Sequence, residues 1–307
     1  MLRTEGIHHV TSISGGAQRN VDFYVGTLGL RLVKRTVNFD DPGTWHLYYG
    51  DRTGSPGTLI TFFPWEGAHE GVAGAGEVAA TAYSAPRAQI VEWAESRGIE
   101  SQLQERFGEQ VLPFRDTDGS WLELVGSDVE DTSDTGEPGV TGFHGVTLSV
   151  RDPEPTARIL TEVLGLDTVG EKNGRLRLDV KGEAPGRVVD LVQPETASAA
   201  RLGSGSVHHV AFRARDDGQQ EEFREALLSR GFNVTPVQDR QYFRSIYFRE
   251  PGGVLFEIAT DPPGMLIDET VENLGSELRL PPWYESARER IAHALPPIAA
   301  PDVAPVR

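Results

Sequence analysis

One plan recurs four times along this chain: a short strand, a helix, then three more strands. In the first copy, IHHVTSIS (Ile7–Ser14) reads as strand and NVDFYVGTLGL as an amphipathic helix closing on Gly29. RLVKRTVN, TWHLYYG and TLITFFP follow as strands, separated by DDPG and GSPG turns. The second copy opens near Val78 with AATAYSA, has its helix from about Pro86 to Arg97, stops at Gly98 and ends on WLELVG. The third opens with FHGVTLSV, with a helix near Pro153–Leu164 and strands RLRLDV and RVVDLVQ. The fourth opens with VHHVAFRA, has its helix from about Gln219 to Arg230, and ends in the hairpin YFRSIYFREPGGVLFEIA. A single βαβββ unit cannot bury its own sheet face, so the copies must pair.

The expected fold is therefore α+β: four βαβββ modules forming two pseudo-symmetric curved-sheet halves, each around a cleft. The sequence divides into a first half over 1–126 (modules about 6–64 and 76–126) and an acidic, glycine-containing linker over 127–140. A second half follows over 141–261 (modules about 141–194 and 205–261), with a shorter linker between its modules from Pro194 to Gly205. The repeat stops after Asp261, and 262–307 reads as a C-terminal cover helix, LPPWYESARERIAHALPP, with a proline-rich tail.

Composition removes whole classes of function. A formal net charge of −17 opposes binding to nucleic acid or to an anionic membrane surface, since both need clustered cations. No apolar run is long enough to span a bilayer, and no secretory signal is visible at the N-terminus. The chain has no cysteine, which excludes disulfides, thiolate metal sites and cysteine nucleophiles and is compatible with a reducing cytoplasm. GVAGAG (Gly71–Gly76) leads into a strand and departs from the dinucleotide fingerprint; no serine elbow or phosphate loop is present. Nothing in the composition opposes a homo-oligomer.

Superposing the copies selects residues. HHVT ending at Thr11, HGVT ending at Thr147 and HHVA ending at Ala211 align. His9 then shares a repeat position with His209 and Gly145, and His8 shares one with His208 and His144; in the second copy the His9 position falls on Ala79. Alternation along a strand gives His9 and His209 one facing and His8, His144 and His208 the other. Copies one and four alone offer an imidazole at the His9 position, so these two are expected to build a cleft together. The carboxylate follows: the Glu257 position holds Glu123, Asp190 and Thr61 in the second, third and first copies, and only Glu257 lies in a copy that also supplies such a histidine. Two histidines and one carboxylate leave coordination positions open, as in non-haem iron(II) sites, and the same donors suit manganese(II). His9, His209 and Glu257 are the leading ligand set, with His144 in place of His9 as the alternative. A lone strand histidine is ordinarily a satisfied structural group, which is the default for His144, just as paired carboxylates are for Glu123 and Asp190.

Neighbouring candidates follow from register. If Pro251–Gly253 form a three-residue loop, Glu250 pairs with Val254 and Glu257 lies opposite Tyr247, on the same face. Thr11, two residues after His9, shares its face and is a candidate substrate contact.

The segments IHHVTSI, LGLRLVKRTVNFDDP, TWHLYYGD, SVHHVAF, DRQYFRSIYFREPGGVLFEIATDPPG and LPPWYESARERI together resemble the vicinal oxygen chelate superfamily, which includes glyoxalase I and the extradiol dioxygenases. More narrowly, they resemble its ring-cleaving dioxygenases of the hydroquinone and chlorohydroquinone type, over nearly the whole chain. The resemblance implies metal ligation by His9, His209 and Glu257, a catalytic Tyr247, a catalytic Arg240 and direct roles for His8 and His208. Alternation turns those last two away from the ligands, and a bulge at the strand starts would return them. It also implies an iron(II)-dependent, extradiol-type enzyme of the cytoplasm acting on a small diphenolic aromatic and O2. A glyoxalase-type isomerase or lyase, or a binding or resistance protein, would share the fold; Thr61 at a carboxylate position disfavours the four-ligand glyoxalase arrangement.

Overall fold

Each copy forms the elements its pattern dictates, as seen in a computed structural model that describes residues 2–128, 139–182, 184–195 and 198–299. The first contributes β1 (Ile7–Ser14), α1 (Ala17–Val21) running on as π-helical turns over Asp22–Thr27, β2 (Arg31–Asn38), β3 (Asp41–Gly50) and β4 (Leu59–Pro64). The second contributes β5 (Glu77–Pro86), α2 (Ile90–Ser96), β6 (Gln104–Arg106), β7 (Glu109–Arg115) and β8 (Trp121–Ser127). The third holds β9 (Phe143–Ser149), α3 (Pro153–Glu162), β10 (Asp167–Lys172), β11 (Arg175–Asp179) and β12 (Val188–Val192). The fourth holds β13 (Val207–Ala214), α4 (Asp217–Ser229), β14 (Gln238–Asp239), β15 (Phe243–Arg249) and β16 (Leu255–Pro263). Most of the acidic 127–140 linker and the end of the tail lie outside the described residues.

Two eight-stranded sheets result, ordered β14-β15-β16-β13-β1-β4-β3-β2 and β10-β11-β12-β9-β5-β8-β7-β6. Copy one thus joins copy four through the antiparallel β1–β13 pair, and copy two joins copy three through β5–β9. The sheets do not coincide with the sequence halves 1–126 and 141–261, because each takes one module from either half. Inside every copy the first and last strands pair in parallel, β1 with β4, β5 with β8, β9 with β12 and β13 with β16. The connecting segments travel together too: Val72 bridges to Arg201 and Ala75 to Ala199.

Alternation separates core from cleft. Val10, Ile60, Phe62, Val210, Phe256 and Ile258 pack in the main core with helix residues such as Tyr24 and Phe223. His9, Thr11, Thr61, His209 and Glu257 alternate with them and are almost fully buried on the opposite side of the sheet.

The central strand pairs are irregular where the histidines sit. Between Ile7↔Phe212 and His9↔Ala211 the first strand has one residue too many, His8; between Thr11↔His209 and Ser12↔Val207 the extra residue is His208. Both are therefore bulge residues, and a bulge re-aims a side chain that strict alternation would turn away. The other sheet repeats the device with Ala79 and His144. This moves the second-copy counterpart of His9 from Ala79 to Ala80, because Ala79 takes the bulge position of His8.

Beyond β16 a strap returns across copy one. The Lys34 side chain is fully buried; its ammonium donates to Asp268 Oδ1 (2.6 Å), to Glu269 and to the Met265 carbonyl (3.1 Å). A proline-initiated turn over Pro282–Ala287 leads into α5 (Arg288–Ala294), which buries Ile291 against the core while the Pro296 carbonyl accepts from Trp45 Nε1 (2.8 Å). The expected C-terminal cover is present, with only its last two turns α-helical. Among the described residues no helix is long and apolar enough to cross a membrane.

Candidate metal centre

Strands β1, β13 and β16 lie side by side, and their cleft faces bring His9, His209 and Glu257 together. Glu257 Oε2 lies 2.9 Å from His209 Nε2 and 3.4 Å from His9 Nε2, and the two imidazole nitrogens are 3.4 Å apart. All three side chains are buried, yet Glu257 Oε2 makes no hydrogen bond among the described residues. A buried carboxylate oxygen left so would cost several kcal/mol, roughly, without a cation to meet it. Three lone pairs converging on one point are what a divalent ion requires, so the donor set fits the metal the sequence suggests. No other group of three potential ligands forms among the described residues.

The ionisation states agree. Burial alone would raise the Glu257 carboxyl, but His9 and His209 outweigh it and hold it well below the usual carboxylate range. Burial lowers His209, against the partial opposition of Glu257. A carboxylate beside a neutral imidazole is the form that binds metal without first losing protons.

Glu257 reaches this position through its hairpin. Glu250 N donates to Val254 O and Gly253 N to Glu250 O, with Gly253 at φ +98°, which closes the three-residue loop the sequence suggests. Tyr247 consequently pairs with Glu257. Its phenol oxygen accepts from Arg240 Nε at 3.1 Å, and Arg240 reaches on to Asp40 of the β2–β3 turn at 3.1 Å, tying copy four to copy one at the cavity rim. Burial, reinforced by Glu257, pushes the Tyr247 phenol up, so it stays protonated at neutral pH.

The bulges place His8 and His208 against the candidate ligands. His8 Nδ1 lies 2.9 Å from His9 Nδ1, and His208 Nδ1 lies 2.8 Å from His209 Nδ1. Each neighbour thereby engages the ring nitrogen that faces away from the carboxylate, which fixes ring orientation. His208 also lines the cavity, whereas His8 does not. Burial, then His209 and Arg249, push His208 down to about 3, and burial holds His8 well below its ordinary range.

The cavity beside the three donors has a volume of about 350 Å³, with Thr11, His46, Tyr48, Phe63, Trp65, Phe243 and Leu255 on its walls. A larger cavity of about 440 Å³ shares only His208 and Leu255 with it and holds none of the three. Sequence reasoning missed two residues here. Ser245 Oγ donates to Glu257 Oε1, and His46 Nε2 lies 2.9 Å from Thr61 Oγ1. The signal was available in the repeat: Tyr48 pairs with Thr61 as Tyr247 pairs with Glu257, so His46 and Ser245, two residues earlier, occupy matching positions.

His144 is not brought to this group. It lies in the other sheet, with Nε2 3.0 Å from Glu109 Oε1. The cleft of that sheet is filled by arginine: Arg106 meets Glu123 at 2.7 Å, and Arg177 meets Asp190 through two bonds of 2.8 and 2.9 Å. Burial opposes ionisation of Glu109, but His144 and Arg177 hold it down at about 2. Gly145 stands where His209 stands in the first sheet, and a Cβ there would lie 2.0 Å from the Val188 carbonyl oxygen. No histidine fits there, so the second cleft cannot reproduce the donor geometry of the first.

The family described as the glyoxalase/bleomycin resistance protein/dioxygenase superfamily matches residues 6–124 and 142–258. The chain is 46% identical over 304 residues to a protein of Bacillus subtilis (strain 168) named as the ring-cleaving dioxygenase MhqO, covering 96% of this chain and 97% of that one. It is 34% identical over 312 residues to the chlorohydroquinone/hydroquinone 1,2-dioxygenase of Sphingobium indicum, covering 95% and 96%. A crystal structure from Bacillus subtilis, described as that of a dioxygenase, superposes with a TM-score of 0.93 at 45% identity, over 99% of this chain and 100% of that chain. Glyoxalase I from Zea mays shares the fold, with a TM-score of 0.59 at 18% identity over 83% and 92%.

Proposed function

This chain belongs to the glyoxalase/bleomycin resistance protein/dioxygenase superfamily and, within it, to the ring-cleaving dioxygenases, and from that premise we propose that it is an iron(II) enzyme that opens the ring of a hydroquinone-like diphenol with both atoms of O2. The observation that carries the proposal is the buried trio His9, His209 and Glu257, with Glu257 Oε2 making no hydrogen bond among the described residues, at the wall of a cavity of about 350 Å³. Manganese(II) suits the same donors. The extradiol label applies only to bond position: a para-diol has no adjacent hydroxyls, so the bond cleaved joins one hydroxyl-bearing carbon to its neighbour.

His9, His209 and Glu257 would hold the metal, leaving coordination positions toward the cavity. A bound iron(II) would supply Lewis acidity toward a substrate hydroxyl and a path for electrons from ring to O2. The protein supplies position and protons. Phe63, Trp65 and Phe243 give the ring apolar walls. Arg240 donates to the Tyr247 phenol oxygen, which leaves the phenol's own proton free to be given to an oxygen atom that gains charge during cleavage. The Arg240 charge lies close enough to offset that charge as it develops. His208, neutral and on the cavity wall, is a second proton-handling group, whereas His8 acts through His9. In place of a second carboxylate copy one has Thr61, which leaves too few acidic donors for a four-ligand isomerase site.

Anaerobic loading with iron(II), followed by oxygen uptake on hydroquinone, catechol and the hemithioacetal of methylglyoxal and glutathione, separates the readings. The expected result is oxygen consumption with hydroquinone. Turnover of the hemithioacetal without oxygen, or iron binding with no uptake on either diphenol, would overturn the proposal.

A further inference from the structure

Copy one carries polar groups that the ring-cleavage scheme does not use. Thr11 Oγ1 lies 2.8 Å from Thr61 Oγ1, Thr61 Oγ1 lies 2.9 Å from His46 Nε2, and His46 Nδ1 lies 3.0 Å from the Tyr48 hydroxyl. Thr11, Thr61 and Tyr48 are almost fully buried. Thr11, His46 and Tyr48 line the same cavity as the candidate metal ligands, and Thr61 sits behind them. Four residues from three strands thus form one unbroken hydrogen-bonded chain. It starts two residues from His9, and its far end reaches the cavity wall a second time.

Every link in this chain can run either way. A hydroxyl both donates and accepts, and a neutral imidazole donates from one nitrogen while accepting at the other. We infer that Thr11, Thr61, His46 and Tyr48 form a proton relay that takes up the proton released when a phenolic substrate binds as phenolate and delivers it to water in the cavity. This rests on the proposed ring cleavage, in which such a proton must leave.

The transfer balances. The substrate O–H bond breaks and its proton goes to Thr11 Oγ1, as Thr11 passes its own to Thr61 and Thr61 passes its own to His46 Nε2. His46 gives up the proton on Nδ1 to Tyr48, which releases its own to water. One proton leaves the substrate and one enters solvent. His46 exchanges tautomer without a net charge, and Thr11 ends as a donor to the phenolate oxygen. Burial, then His9 and His209, hold His46 well below the ordinary imidazole range, with Arg240 adding to this and Glu257 opposing it. His46 is therefore suited to pass a proton on and unsuited to store it.

Thr61→Val removes the central hydroxyl at nearly constant shape, and Thr61→Ser keeps it. With hydroquinone as substrate and iron content checked, Thr61→Val is expected to lower kcat on the order of 100-fold with KM within about twofold of wild type, and Thr61→Ser to recover most of it. The 15N shifts of the His46 ring, read on the metal-free protein, test the chain directly. Wild type and Thr61→Ser should show both tautomers in exchange, and Thr61→Val a single one protonated at Nδ1. Wild-type kcat in Thr61→Val, or a His46 ring unmoved by that substitution, would overturn the relay. If the wild-type enzyme consumed no oxygen with any diphenol, the ring-cleavage reading would fall, and the ring shifts would still decide whether the chain can reverse.

Discussion

His209→Ala is expected to abolish iron(II) binding and oxygen uptake, while His144→Ala leaves both near the wild-type level. The two residues look alike in the sequence, each at the start of a module's first strand. The fold separates them: His209 Nε2 lies 2.9 Å from Glu257 Oε2, and His144 is committed to Glu109 in the other sheet. Loss of an outer partner of a metal ligand typically costs about 10–100-fold in metal affinity, so loss of one of only three donors should exceed the upper end of that range. His209→Ala also leaves Glu257 Oε2 with His9 Nε2 at 3.4 Å as its one imidazole neighbour among the described residues. Iron content after anaerobic dialysis checks the prediction, with far-ultraviolet circular dichroism as the control for folding. Loss of iron in His144→Ala would favour the alternative ligand set, and iron retained in His209→Ala would contradict both sets, since each includes His209.

A comparable effect, on stability, is expected at Lys34. The chain has three lysines among 29 basic residues, and this one is fully buried, between Asp268 and Glu269 and 4.8 Å from the centre of the Tyr242 ring. Lys34→Met keeps the length and apolar stem but leaves two acidic groups facing one another. Asp268 would retain the Tyr242 hydroxyl at 3.1 Å, and Glu269 would retain Arg279 at 3.4 Å. Breaking a buried ion pair from one side costs about 3–5 kcal/mol, far more than exposed pairs such as Arg158–Glu154 contribute. Guanidinium unfolding monitored by tryptophan fluorescence should show the midpoint falling accordingly. A loss under about 1 kcal/mol would mean that the strap after β16 is held by other contacts.

Repeats made much of this molecule readable. Alignment of four copies was enough to expect the paired modules, to prefer His9 and His209 over His144, and to single out Glu257. The Pro251–Gly253 turn residues suggested the Tyr247–Glu257 register without fixing it, since a loop one residue shorter or longer would have turned Tyr247 to the other face. Bulges left no comparable signal, because an extra residue such as His8 or His208 is defined only by its pairing with a strand two hundred residues away. That is why alternation faces both away from the candidate ligands, and why it points to Ala79 and not Ala80 as the second-copy position. The halves 1–126 and 141–261 follow the linkers, which mark only where modules end, whereas the matching histidine positions already paired copy one with copy four across those halves. His46 and Ser245 were within reach of the repeat register but lay among residues whose default was core or surface. Lys34 gave no local sign that it would be buried, since its partners come from a segment outside the repeat.

One cleft, built by the first and last modules, is proposed to hold iron where three candidate donors converge. Anomalous diffraction at the iron edge, from crystals loaded anaerobically with iron(II), tests this most directly. The predicted result is one strong peak within bonding distance of His9 Nε2, His209 Nε2 and Glu257, and none in the arginine-filled cleft around Glu123 and Asp190. A peak beside His144, or no ordered iron at the three donors, would contradict it.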